Sequence, residues 1–503
     1  MKLRYGMVLA CLIALGWACP QPIHAATNTV LNLKDGLTAG TLRSAIANSS
    51  AGDKIVFSNG LSGTLSLTNG GQLLIKQDIV LQGPGAGVIT ISGNNSNRVF
   101  NITNANVSLS GLTIANGRVA GTNGIAGGAG ETIFGAGLLR LDSVYGYTVT
   151  VSNCLFLANA VIGGSGSGAF PGNGSAGGNA YGGAVFNNST LVMKNCSFAG
   201  NQAIGGNGGS GSFAGGAAGA ALGGGVCNSG LFISTNCTFA TNAAVGGIGG
   251  ETTCNFCSPG AGGNGEGGGF YNAGQSVIMC STIASNTAVG GNGGGAFPSG
   301  TGIQGGAFAG GIRNGGENLN VGNTIIAGNT ALQAKDVSGD FSSAGFNLVA
   351  VTNGSTGFGM NFDQVGNLDQ VIDPLLGPLL DNGGQTPTMV LHTNSPAADQ
   401  GNSFGTSTDQ RGAPRPTVFS NGLYSGDGSD IGAFEIIPPV VSLTRQGGKV
   451  ILSWSIFNLG LNLQSATNLA AGSWISLGEP ITNGNKLFLT NTILGENRFF
   501  RLH

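Results

Sequence analysis

The chain has 503 residues, enough for two or three domains, with a formal net charge of −2 and only 8% charged residues. Ninety-six glycines take it far from ordinary globular composition, but they lack the strict three-residue period of collagen. With no basic cluster, it has no electrostatic footprint for nucleic acid.

Residues 1–25 read as a secretory signal peptide. Lys2 and Arg4 form the charged region, Val8 to Trp17 the apolar core, and Ile23-His24-Ala25 the cleavage site. Cys19 raises the question of a lipid anchor, but Trp17 two residues earlier fits that signal poorly. No later run reaches the ~20 apolar residues of a membrane-spanning helix.

Residues 26–92 are expected to form an N-terminal cap and the first coils of a solenoid. TLRSAIAN at 41–48 predicts one short helix with Leu42, Ala45 and Ile46 on one face. An open solenoid end needs a cover, and this helix is assigned to it. KIVFSN, GTLSLTN, QLLIKQDIVLQGPG and GVITISGNN follow as strands separated by turn signals.

Residues 93–372 are governed by a repeat. GGAVFNNSTLVMKNCSFAGN at 182–201 returns as GGGVCNSGLFISTNCTFATN at 223–242, GGGFYNAGQSVIMCSTIASN at 267–286 and GGIRNGGENLNVGNTIIAGN at 310–329. The closing asparagines Asn159, Asn201, Asn242, Asn286 and Asn329 are 42, 41, 44 and 43 residues apart. A fixed period of this size marks a repeat architecture. Each copy holds three short strands and two corners, which makes one three-sided turn. Parallel stacking of such turns pairs each strand with its equivalent one coil away, about 4.8 Å along the axis. The expected fold is a right-handed parallel β-helix.

Equivalent side chains would then stack in columns. Phe156, Phe198 and Phe239 continue into Ile283 and Ile326, and Cys154, Cys196 and Cys237 continue into Ser281 and Thr324. Asn187, Asn228, Asn272 and Asn314 form one amide column; Asn153, Asn195, Asn236 and Asn323 form another, at corners that demand the left-handed conformation. Between copies lie Gly-rich stretches at 160–181, 202–222, 243–266 and 287–309. They read as flexible loops leaving one corner; the competing reading is thin extra coils, which would lack internal bulk.

Seven cysteines follow the signal, an odd number that argues against a full disulfide framework. The stacked ones read as buried small apolar residues. Cys254 and Cys257, inside a Gly-rich stretch, read as a loop-stapling disulfide, because no histidine lies near to complete a metal site.

The order TLRSAIANSSAGDKIVF, GTLSLTNGGQLLIKQDIVLQGPG, ITISGNNSNRVFNI and GLTIANG resembles the opening of large secreted bacterial β-helix proteins. Those carry polymorphic-outer-membrane-protein-like repeats and belong to the pectin-lyase-like superfamily, although they usually lack long Gly-rich inserts. Residues 373–437 contain DPLLGPLLDNGGQTPTMVLHTNSPAADQGN, TDQRGAPRP and SDIGAFE, which resemble the choice-of-anchor Q region that ends many such β-helices. This resemblance implies an architecture and a variable C-terminal attachment rather than an activity. Pro438-Pro439 marks a linker, and 438–503 reads as a small antiparallel β-sandwich, Ig-like or fibronectin-like, with Trp454 and Trp474 in its core.

The resemblance admits polysaccharide lyases and glycoside hydrolases, whose chemistry needs convergent carboxylates or acids with a base. From 137 to 330 the only acids are Asp142, Glu251, Glu266 and Glu317, and the only basic residues Arg140, Lys194 and Arg313. They occupy different repeat positions and are expected to stay apart. Eleven of the 21 acids fall in 331–435. There Asp399, Asp409, Arg411, Arg415 and Glu435 read as a buried network holding a closing cap. A calcium site at Asp427 and Asp430 is the alternative, and His392 reads as a structural histidine. The expectation is a secreted or surface-exposed, non-catalytic protein, with no cofactor apart from that calcium, whose side wall contacts polysaccharide or a surface protein. The competing function is a polysaccharide lyase or glycoside hydrolase with its site near 373–435.

Overall fold

The computed structural model describes residues 25–502 except 145, 254–256, 297–299, 317, 420–423, 439, 456–461, 470–471, 484–485 and 493–497. Residues 1–24, all but the last residue of the expected signal peptide, therefore lie outside the described residues, as does Cys254. The chain winds into a right-handed parallel β-helix with three walls, two of ten strands and one of nine. In the coil spanning 185–199 the third wall holds Val185–Asn187, the first Thr190–Lys194 and the second Ser197–Ala199. Each strand pairs in parallel, and in register, with its equivalents above and below.

Side chains alternate across each strand, so every second residue enters the lumen. Phe156, Phe198 and Phe239 stack there with ring centroids 4.9 and 4.5 Å apart and planes within 6°. Ile283 and Ile326 continue the column. The cysteine column is also buried, and burial pushes the Cys154 thiol up to about 12. Cys196 N donates to Cys237 Sγ, Cys237 N to Ser281 Oγ, and Ser281 N to Thr324 Oγ1, so hydroxyls replace thiols without breaking the chain of contacts. Asn153, Asn195, Asn236 and Asn323 turn the corner at φ of 47–54°, and Cys280 takes that corner in the intervening coil.

Two amide ladders run up the interior. In one, Asn187 Nδ2 donates to Asn228 Oδ1, then Asn228 to Asn272 and Asn272 to Asn314, at 2.7–2.9 Å. The other uses the asparagines that set the sequence period: Asn159, Asn201, Asn242, Asn286 and Asn329 are joined Nδ2 to Oδ1 at 2.8–2.9 Å. Each of these oxygens also accepts the backbone N–H of the preceding rung. Buried amides retain their hydrogen-bonding capacity only when partnered, and the stack partners them with one another. Asp336 ends the second ladder, its Oδ1 accepting both N and Nδ2 of Asn329.

The Gly-rich stretches are not loops. They leave the second wall through short parallel strands such as Gln202–Ile204 and return through strands such as Ala221–Leu222, each set forming its own five-stranded sheet. Beyond these, the outgoing and returning runs form a flat fin with a three-residue rhythm. Gly205 N donates to Val245 O one coil on, Gly206 N donates across to Gly178 O of a returning run, and Asn207 faces out; Gly208 and Gly209 repeat the pattern. The returning run reciprocates, with Gly219 N donating to Gly206 O at 2.8 Å. Backbone bonds thus replace the side-chain bulk that a thin coil lacks. A Cβ on Gly219 would sit 1.9 Å from Gly178 O.

The rod's N-terminal end is covered by the helix Leu42–Ala47, whose N-cap Thr41 accepts from Ser44 N and which buries Leu42, Ser44 and Ile46. At the C-terminus, antiparallel sheets of four and three strands share a core of Leu452, Trp454 and Leu463. Trp474 is only half-buried and lies under the Arg501 guanidinium, 4.3 Å from its ring centre.

Two outcomes follow. Gly219→Ala should lower stability by about 1–3 kcal/mol or more in denaturant unfolding, while Ala217→Ser, at an exposed fin position, leaves it unchanged. Equal stability of Gly219→Ala and the parent would refute the close-packed fin. Burial also pushes Asp336 up to about 6 from 3.8. Between those values the folded chain keeps a proton that the unfolded chain has lost, so this contribution to stability falls as pH rises from about 4 to about 6. The parent should therefore lose stability relative to Asp336→Asn across that window in thermal melts, and a flat difference would contradict it.

Candidate functional site

Along the second wall, Phe198 points inward and its neighbours Ser197 and Ala199 point out. The register carries this outer row as Ser197, Thr238 and Thr282, beside Ala199, Ala240 and Ala284. Small residues and hydroxyls make a surface that another segment can approach closely. The segment 373–436 does so. It does not close the end of the rod, as a cap would; it runs back along this outer face as a strap.

The strap begins as an antiparallel hairpin, Leu376–Leu380 with Thr388–Leu391, and Met389 packs on Ala240 and Ala284. Ser197 Oγ donates to Pro387 O at 2.6 Å, and Thr386 Oγ1 donates to Asn195 O. Gln410 reads two coils at once: its Oε1 accepts from Thr238 Oγ1 and its Nε2 donates to Ser197 Oγ. Ala433 N donates to Thr282 Oγ1, and Asn323 Nδ2 to Asp430 O. Beneath it Ile431, Phe434 and Ile436 form an apolar cluster with Ile325, Ala327 and Leu348.

Within the strap the acids and arginines pair. Arg411 meets Asp409 at 2.7 Å and Arg415 meets Glu435 at 2.7 Å, all four side chains fully buried. Asp409 also accepts from Arg411 N, Ala413 N and Glu435 N; Glu435 also accepts from Thr417 N and Asp430 N. Asp399 accepts from Phe419 N. The Arg411 guanidinium lies 3.5 Å from the centre of the Phe434 ring. Burial raises the pKa of Asp430 well above the usual carboxylate range, and the neighbouring Glu435 charge raises it further. Burial raises Glu435 as well, opposed by Arg415.

The calcium alternative does not fit these residues. Asp427 accepts from Ser403 N and Oγ and from Ser429 N and Oγ, while Asp430 accepts from Asp399 N and Ile436 N. A calcium ion requires six or more oxygen ligands, and these carboxylates are committed to separate N–H and O–H donors. Among the described residues no group of three or more His, Cys, Asp and Glu converges as a metal site. His392 is exposed on the strap. Cys257 is disulfide-bonded, while Cys154, Cys196, Cys227, Cys237 and Cys280 are free.

The central coils are not devoid of ion pairs, contrary to expectation. Arg140 occupies the same slot as Asn187, wholly inside the coil, and its Nη2 lies 2.5 Å from Asp142 Oδ2. Arg313 Nε lies 3.3 Å from Glu266 Oε2 and its Nη1 donates to Ser338 Oγ. Sequence position separates Arg313 from Glu266, but the corner between the returning strands and the third wall folds them together. Phe134, Tyr181 and Leu222 line one side of that corner and Leu139, Phe186, Cys227 and Tyr271 the other. Phe134 lies 5.2 Å from Tyr181 and 4.7 Å from Phe186 between ring centres. The alternation of outward residues on either side of GlyGly at 182–183 was a signal for this row.

The fold and its sites define a β-helix rod with a glycine fin and a strapped wall. No family model matches the chain, and no curated protein matches it.

The strap's arginines fix its attachment. Arg415→Met would leave Glu435 buried without its counter-ion, at a cost of about 3–5 kcal/mol. The expected signature is rapid limited proteolysis within 373–436 while the 93–340 core stays resistant. Unchanged cleavage would show that the pair does not hold the strap.

Proposed function

We propose that the protein is a secreted or surface-exposed, non-catalytic scaffold or adhesin, of the kind built on polymorphic-outer-membrane-protein-like repeats with a choice-of-anchor Q region. Its work is contact with polysaccharide or a surface protein through the long sides of the rod. One observation carries the reading: Asp409, Asp430 and Glu435, three of the eleven carboxylates in 331–435, are 0% exposed. Each is bonded to backbone N–H groups, and two are also paired with arginine, so no substrate reaches them. Hydrolysis or lyase chemistry requires acids flanking the scissile bond in an open groove. The strap also covers the outer Ser197, Thr238 and Thr282 row of the second wall.

The test is incubation of the purified chain with pectic and other acidic glycans, with and without calcium, followed by reducing-end and unsaturated-product assays. No product above a heat-treated control is expected. Turnover abolished by Glu435→Gln would overturn the reading in favour of a lyase or hydrolase.

A further inference from the structure

The fin ends in a row of tips where each outgoing run turns back, and these tips are bonded to one another. Ala169 bridges Gly211 and Asn173 bridges Ala214. Phe213 N donates to Gly172 O, Ser212 N to Ala169 O, and Gly172 N to Ser212 Oγ. In a layer rich in Gly, Ala and Ser, each of these two tips holds one phenylalanine. Phe170 is 64% and Phe213 60% exposed. Neither belongs to an apolar cluster among the described residues. Exposed aromatic rings on two successive tips, on backbone that hydrogen bonds hold still, are a recognition feature, because little conformational freedom remains to be lost on binding.

The chemistry around the rings selects the partner. The stretches 160–181 and 202–222 contain no Asp, Glu, Lys, Arg or His. They offer neither the basic residues that draw acidic glycans and anionic lipid nor the acids that draw cations. Their outward positions carry hydroxyls and amides instead, at Ser165, Asn207 and Ser210. Aromatic faces for C–H surfaces, with neutral donors and acceptors beside them, complement an uncharged sugar chain. We propose that the free edge of the fin, through Phe170 and Phe213, binds a neutral polysaccharide. This rests on the adhesive reading above and names its contact edge.

The experiment uses the full chain mixed with insoluble cellulose, chitin and starch, with a pectate gel and with phosphatidylcholine vesicles, measuring depletion from the supernatant. Phe213→Ser and the double variant Phe170→Ser/Phe213→Ser are compared with the parent and with Met360→Ser, an exposed apolar control elsewhere. All should share one unfolding midpoint. The parent and Met360→Ser should bind at least one neutral polysaccharide, with Phe213→Ser weaker and the double variant weaker by about tenfold or more. Undiminished binding by the double variant would overturn the fin edge and leave the adhesive reading standing. Binding only to pectate or vesicles would overturn the neutral-sugar assignment. No binding by the parent to any surface would overturn both.

Discussion

The structure depends on one constraint: each coil must present its N–H and C=O groups at the height and register of the coil beneath. Once the walls pair in this way, every side chain faces its own equivalent. That is stabilising only for residues that tolerate their own kind as neighbours. Phenylalanine does so by stacking, with Phe198 and Phe239 at 4.5 Å and nearly parallel. Asparagine does so because its amide both donates and accepts, so a column from Asn159 to Asn329 satisfies itself without water. A charge would not, and the interior column that does begin with one, at Arg140, brings Asp142 with it.

The fin applies the same constraint with the side chains removed. Where Ala and Gly leave nothing to pack, the backbone bonds in two directions, to the next coil and across to the returning run. Carbonyl oxygens then occupy the space where Cβ atoms would be. Glycine carries an entropic cost in being ordered, offset here by bonding the backbone groups on both sides of the layer. The result is a glycine-built blade whose free edge carries the exposed rings of Phe170 and Phe213.

The strap decides which surfaces remain. It spends the hydroxyls of Ser197, Thr238 and Thr282 on the second wall, the carboxylates of Asp409 and Glu435 and the guanidinium groups of Arg411 and Arg415 on holding itself down. Buried ion pairs of this kind are poor sources of net stability, but they fix one arrangement strongly, since losing either partner strands a charge. What stays accessible is the outer face of the first wall, the aromatic corner beside the third, and the fin.

The period of the asparagines determined the parallel β-helix, the columns of Phe156, Phe198 and Phe239, and the left-handed corners, because stacking turns a sequence repeat directly into spatial adjacency. The terminal helix at Leu42–Ala47 was legible for a local reason, an N-cap and one apolar face. The fin was misread because its cohesion lies in backbone bonds between separate runs, such as Gly206 with Gly178 and Gly205 with Val245, which no side-chain pattern records. The pairing of Arg313 with Glu266, 47 positions away, depended on how the returning strands fold against the third wall. The strap's path depended on something further still: Gln410 bonds Ser197 across 213 residues, and the complementarity of one amide with one hydroxyl carries no signature in either stretch alone. Repetition fixed the rod; where non-repeating segments lie against it was settled only by the packed surface they meet.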